Sequence, residues 1–279
     1  MMTNNVLVLG GKGKTGRKVA QGLTKLDQIV RIGSRTESPA FDWQQPETWE
    51  GALEGMDKVY LCFHPDLAVP GALEAIEGFT KAAKKSGIVK LVLLSGKGER
   101  EAELCEQVVI HSGIDYTIVR ASWFNQNFSE SFFLDPILAG HVALPHADAK
   151  VPYVDTDDIA DVVVAALLDD VHSGQIYELT GPRLLTFEEA VGEIAKATGR
   201  EIAFTPISLP AYTKMLEGFG VPSDFIWLIN YLFSEVLTNP KNSVVTNDIE
   251  KVLGRKPKDF SEYTRKVAAS GVWNQTVNS

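Results

Sequence analysis

The chain has 279 residues, 44% hydrophobic and 23% charged, with 36 acidic against 27 basic side chains and a formal net charge of −9. That apolar share fills a core and excludes a disordered chain, and the acidic balance excludes a protein whose main task is coating nucleic acid or an anionic membrane. The longest apolar run, Val162–Leu168, is far short of the roughly 20 residues of a membrane span, and Met1–Asn5 carries no cationic lead into the short stretch Val6–Leu9. Cys62 and Cys105 form neither a disulfide framework nor a metal-ligand spacing, and His111, His141, His146 and His172 show no such spacing either. A soluble, cytoplasmic, globular protein without a metal is expected.

Asn5–Gly10 (NVLVLG) is a short apolar run ending in glycine, as expected of a strand buried on both faces of a parallel sheet. Lys14–Leu26 follows with Val19, Ala20, Leu23 and Leu26 at helical spacing. Strands at Gln28–Ile32, Lys58–Cys62, Lys90–Leu94 and Tyr116–Val119 then alternate with helices over Val69–Ser86 and Glu101–Ser112. Alternation at this pace predicts right-handed βαβ units, hence an α/β, Rossmann-like doubly wound parallel sheet with helices on both faces. Beyond Trp123 the pattern loosens. Asp155-Thr156-Asp157-Asp158 opens a helix over Ile159–Leu168, its acids at the positive end of the dipole. Gln175–Leu179 reads as a strand, Phe187–Thr198 as an amphipathic helix closed by Gly199, and the chain after Pro206 as mostly helical and aromatic-rich near Phe225–Phe233. The expected division is a sheet domain over 1–122 and, over 123–279, a smaller, mostly helical lobe integrated with it.

Between the first strand and the first helix lies Gly10-Gly11-Lys12-Gly13-Lys14-Thr15-Gly16, with glycines 10, 13 and 16 in the pattern GxxGxxG. Such glycines permit a sharp turn, let the backbone approach a pyrophosphate, and allow close helix–strand packing; the helix N-terminus presents N–H groups and partial positive charge to the phosphates. In this strand–loop–helix context the motif predicts a dinucleotide site. NAD-preferring sites place an acid at the end of the second strand; this chain has Gly33-Ser34-Arg35 there, and a guanidinium suits a 2′-phosphate. Lys12, Lys14 and Arg17 add cations, and no acid follows before Glu37. NADP(H) is therefore expected in preference to NAD(H). None of the seven tyrosines has lysine four residues later, so the Tyr-x-x-x-Lys proton donor of short-chain dehydrogenases is absent.

The loop, Ser34-Arg35, Leu93-Leu94-Ser95, the run Ser112–Arg120 (SGIDYTIVR), and Trp123–Phe128 (WFNQNF) together resemble the NmrA-like branch of the atypical short-chain dehydrogenases. Val151–Asp155, Asp158-Ile159-Ala160, Leu185-Thr186-Phe187 and Gly254–Pro257 extend the similarity, which looks closest to bacterial relatives of the agroclavine and festuclavine dehydrogenases and of NAD(P)H azoreductase-like proteins. The resemblance implies NADP(H) held at Gly10, Lys12, Gly13, Lys14, Thr15, Gly16, Ser34 and Arg35. It adds the strand ends Phe63-His64-Pro65 and Ser95-Gly96-Lys97. The family's usual Arg-Pro after the next strand is Arg120-Ala121 here. Relatives lacking the tyrosine–lysine pair act on imines, quinones or flavins, where delivery and positioning of a hydride suffice; others only sense NADPH and bind a protein partner.

Ser95, His64 and Tyr153 are the candidates for catalysis, each with a plainer reading, as a strand cap, a pocket-shaping residue and a half-buried packing tyrosine respectively. Trp123, Phe124 and Phe128 offer an aromatic wall for a planar substrate, or aromatic core. Trp227 and Tyr231, one helical turn apart, suit closure of the site, core packing or a dimer face. The expectation is an NADPH-dependent reductase of a small, flat, electron-poor imine, quinone or enone. The alternative is a non-catalytic NADP(H) sensor acting through a protein partner; a nucleotide-sugar epimerase is disfavoured by the missing Tyr-x-x-x-Lys. A small-molecule substrate is expected as partner, with neither nucleic acid nor membrane, and a homodimer is compatible with the sequence.

Overall fold

The computed structural model describes residues 4–274; Met1–Thr3, part of the N-terminal stretch considered above, lie outside the described residues. The strands are β1 (Asn5–Leu9), β2 (Ile29–Gly33), β3 (Lys58–Leu61), β4 (Lys90–Gly96), β5 (Asp115–Ala121), β6 (His141–Leu144), β7 (Gln175–Leu179) and β8 (Ala203–Pro206). The described residues form two compact units: the first from residues 4–121, Thr156–Leu179 and Asp248–Arg255, the second from Ser122–Asp155, Thr180–Asn247 and residues 256–274. A single division after residue 122 does not describe this partition, because the helix Thr156–Leu168, β7 and the helix Asp248–Leu253 belong with the sheet of the first unit.

In the first unit six parallel strands run in the order β2-β1-β3-β4-β5-β7, the doubly wound α/β arrangement. From β1 the chain winds to β2 on one side and later to β3 on the other, so the order reverses at β1/β3, where open α/β sheets bind ligands beyond their carboxyl ends. The pleat sends Leu7 and Leu9 into a core with Val59, Leu61, Leu91 and Leu93, closed by Ile76, Phe79 and Ala83 of the helix Ala72–Lys85 and by Cys105 and Val109 of the helix Arg100–Ile110. Val6 and Val8, fully buried, point to the opposite face. At the other end of the sheet the register partners Lys58 and Lys90 are both buried. Their ammonium groups donate to the carbonyls of Leu167 (2.6 Å) and Asp169 (3.1 Å), satisfying acceptors at the negative end of the helix Thr156–Leu168.

β4 and β5 are longer than the sequence predicts. Their ladder continues through Ser95↔Arg120 and Gly96↔Ala121, carrying both strands further toward the carboxyl edge. The helix opening near Asp155 begins at Thr156, and Phe187–Thr198 is helical with Gly199 at φ 66° after it.

The second unit is mostly helical and buries an aromatic core of Phe128, Phe133, Tyr153, Phe187, Phe233, Phe260, Tyr263 and Trp273. It also contains a two-stranded parallel sheet, β6 with β8, which the sequence did not announce because four-residue strands carry too little periodicity. The helix Ser223–Tyr231 continues into a π-helical turn, Leu232–Val236. No helix among the described residues is long and apolar enough to cross a membrane.

Candidate functional site

The glycine loop leaves β1 at Gly10, whose φ of +64° lies in the left-handed region open to glycine. The chain closes a tight turn with Gly13 N–H donating to Gly10 O at 2.8 Å. Gly16 opens the helix Gly16–Lys25 against that turn. An added Cβ there would stand 2.3 Å from Gly10 O, so this glycine sets the separation of helix and strand. The backbone N–H groups of Gly11, Lys12, Thr15 and Gly16 meet no acceptor among the described residues. Two donors on the glycine turn and two at the helix N-terminus form a cradle that fits a pyrophosphate. Beneath it, Tyr60 of β3 donates its hydroxyl to Thr15 Oγ1 at 2.8 Å, with both residues buried. Burial pushes the Tyr60 phenol well above its ordinary pKa, so it stays a protonated donor. Cys62 lies just past β3, its Sγ 3.5 Å from where a Cβ on Gly10 would be; burial pushes its thiol up to about 11, leaving it unreactive packing.

Ser34, Arg35 and Thr36 follow β2 on the rim. Ser34 and Thr36 hydroxyls lie 3.2 Å apart, and Arg35 is exposed with no partner among the described residues. Lys12 reaches across from the loop, its Nζ 2.5 Å from Thr36 Oγ1 and 2.8 Å from Glu37 Oε1. The cation expected to be uncompensated is thus ion-paired. Lys14 and Arg17, half-buried, lie on the loop and the first helical turn.

At the carboxyl edge of β3 the chain runs through Phe63, half-buried against Trp43, then exposed His64 and Pro65. Near the carboxyl end of β4, Ser95 donates its hydroxyl to Glu106 Oε1 at 2.6 Å, so its proton is committed inward. Glu106, fully buried, also receives Arg120 Nη2 at 2.6 Å and Nε at 2.9 Å. Lys97 is buried, its Nζ 3.5 Å from Glu178 Oε2, and Glu178 Oε1 lies 3.5 Å from Arg120. An added Cβ on Gly96 would lie 1.9 Å from Glu99 Oε1, so the glycine makes room for that carboxyl. Glu99 hydrogen-bonds Asp66, whose Oδ1 accepts Ala68 N–H at 2.8 Å. Burial, then the charges of Asp66, Glu101 and Glu106, hold Glu99 protonated well above the usual carboxylate range; burial raises Asp66 as well.

In the second unit, Tyr153 is 2% exposed and its hydroxyl has no partner among the described residues; burial alone raises its pKa well above the ordinary value. It packs edge-on to Phe128, itself fully buried, so neither residue offers a ligand an open face. Trp123 and Phe124 are half-buried, the Trp123 ring parallel to Phe133 within 8° at 6.4 Å. Trp227 and Tyr231 stack within 7° at 5.7 Å, with Trp227 45% exposed.

The model of the NmrA-like family matches residues 40–264, more than three-quarters of the chain. This chain belongs to that family. NAD(P)H azoreductase of Xenophilus azovorans is 28% identical, covering 95% of this chain and 98% of its own. Agroclavine dehydrogenase of Claviceps fusiformis is 26% identical, covering 92% of this chain and 95% of its own. Among solved structures, an NADPH-dependent quinone oxidoreductase of Escherichia coli, complexed with NADPH, superposes with a TM-score of 0.78 at 19% identity, covering 94% of this chain and 99% of that one. At that identity the match speaks for the fold.

Within the NmrA-like frame, the first unit gathers Gly10–Gly16, Ser34-Arg35, Phe63–Pro65 and Ser95–Lys97 at one carboxyl edge of its sheet. Sequence reasoning missed Tyr60, Glu37 and the Asp66–Glu99 pair. Each acts through a partner distant in sequence, and nothing in the linear pattern of an apolar strand or a polar loop marks such pairs.

Proposed function

We propose that the protein is an NADPH-dependent oxidoreductase that reduces a small planar, electron-poor substrate (an imine, quinone or enone) without a Tyr-x-x-x-Lys pair. The cradle carries this reading: N–H groups without acceptors among the described residues, two on the glycine turn and two at the helix N-terminus, on the switch-point edge of a parallel sheet, with Lys12 and Arg35 on the adenosine-ribose rim. The names of the relatives, an azoreductase, a clavine dehydrogenase and a quinone oxidoreductase, support redox chemistry on small molecules.

Bound NADPH would supply the hydride. The chain's share is to hold and aim it. Gly10–Gly16 binds the pyrophosphate, Arg35 and Lys12 face the 2′-phosphate, and Phe63–Pro65 with Ser95–Lys97 line the path along the strand ends. Within the second unit, half-buried Trp123 and Phe124 and the stacked Trp227 and Tyr231 are the ring faces that suit a flat substrate. With Tyr153 enclosed and the Ser95 proton given to Glu106, the accompanying proton comes from His64 or water.

Calorimetric titration with NADPH, NADP⁺ and NADH, followed by NADPH consumption with a panel of quinones, iminium compounds and enones, tests the reading. NADPH-selective binding with turnover of at least one class is expected. Tight binding with no turnover would mark a non-catalytic sensor instead, and no binding of any dinucleotide would overturn the cofactor assignment.

A further inference from the structure

We propose that Glu37 is the cofactor-specificity residue of this protein: a displaceable counter-ion on Lys12 that opposes the 2′-phosphate of NADPH and accepts the ribose 2′-hydroxyl of NADH. The inference rests on the dinucleotide reading above and adds to it which carboxylate sets the choice between the two forms.

Lys12 reaches from the loop to the rim after β2, and its ammonium is already engaged, 2.8 Å from Glu37 Oε1 and 2.5 Å from Thr36 Oγ1. A 2′-phosphate carries close to two negative charges and seeks the same ammonium. Lys12 and Glu37 are 59% and 42% exposed, so their pairing is the weak, water-screened kind that a dianion with further partners displaces. Those partners are in place: the Ser34 and Thr36 hydroxyls, 3.2 Å apart, and the unpaired Arg35 guanidinium. Displacement leaves Glu37 beside the phosphate as a like charge, which subtracts from NADPH affinity. A ribose hydroxyl sets no such conflict. It donates to the Glu37 carboxylate while Lys12 stays paired, the task an acid at the end of the second strand performs in NAD-binding folds. The acid here is displaced to the fourth residue after Gly33 and is brought to the rim by Lys12.

The test measures dissociation constants of NADPH and NADH for the full chain and for Glu37→Gln, a nearly isosteric change on an exposed side chain. NADPH is expected to bind about 3–10-fold tighter to the variant and NADH about 2–5-fold weaker, with the NADPH gain shrinking at high salt. In a Lys12→Met background, Glu37→Gln is expected to raise NADPH affinity by a different factor, since the ion pair is gone; this coupling is a readout that a merely structural Glu37 does not move. An unchanged NADH-to-NADPH affinity ratio in Glu37→Gln, with both dinucleotides still binding, overturns this inference alone. Failure of the parent protein to bind either dinucleotide overturns the cofactor reading and this inference with it.

Discussion

Gly16→Ala asks how closely the phosphate loop is fitted. The new Cβ would lie 2.3 Å from Gly10 O, 2.7 Å from its carbonyl carbon and 2.9 Å from Gly11 Cα, where ordinary contact begins at 3.4 Å. Every obstructing atom is backbone, so the helix start and the turn must part by about 1 Å, an overpacking cost of about 1–3 kcal/mol. Against this, alanine gains about 0.5–1 kcal/mol over glycine inside a helix. The clash wins, and a net loss of about 1–2 kcal/mol is expected. Cofactor affinity suffers more, because a shift of about 1 Å takes several N–H donors out of hydrogen-bond range of the same phosphates, and bonds to a charged group are worth about 1.5–3 kcal/mol each. The loss should reach about 100-fold in NADPH affinity. Gly192, inside the helix Phe187–Thr198, has nothing within 4 Å of its would-be Cβ, so Gly192→Ala should stabilise by about 0.5–1 kcal/mol and serves as the control. Urea unfolding midpoints and NADPH titrations read both effects. A Gly16→Ala protein with the parent's midpoint and affinity would refute the reasoning.

Arg35→Ala should weaken NADPH about 10–100-fold while leaving NADH within about threefold, since only one of them carries the 2′-phosphate; equal losses in titration would defeat the assignment. Arg120→Leu strips the fully buried Glu106 of its guanidinium and should cost about 3–5 kcal/mol in urea unfolding. Arg120→Leu with Glu106→Leu should recover much of that, and a double variant no more stable than the single one would count against a buried ion pair. Glu99 is held protonated in the folded chain well above its ordinary value of 4.5, so the folded state retains a proton that the unfolded state releases. Stability therefore falls as the pH rises from that ordinary value toward the raised one, and Glu99→Gln should flatten the decline in denaturant titrations taken at several pH values. An equally steep decline in the variant would place the linkage elsewhere.

The sequence by itself determined the parallel sheet of the first unit and the glycine turn that follows its first strand. Five apolar strands separated by amphipathic helices admit little besides a parallel sheet, and glycines between strand and helix mark a tight turn. Gly16 and Gly10 meet the backbone demands of that turn: one allows a 2.3 Å approach, the other a φ of +64°. Local period and local backbone demand are written in neighbouring residues, so they can be read there. Partnership is not. Tyr60 supports Thr15 from 45 residues away, Lys12 is claimed by Glu37, and Ser95, which looked open to a ligand, gives its proton to Glu106. Aromatic spacing likewise could not separate Phe128 and Tyr153, sealed in a core, from Trp227 and Tyr231, stacked with the tryptophan half in solvent. Those outcomes depend on which side chains the strand order and helix packing bring within 3 Å, and on how much water remains around them. Only the tertiary structure fixes either.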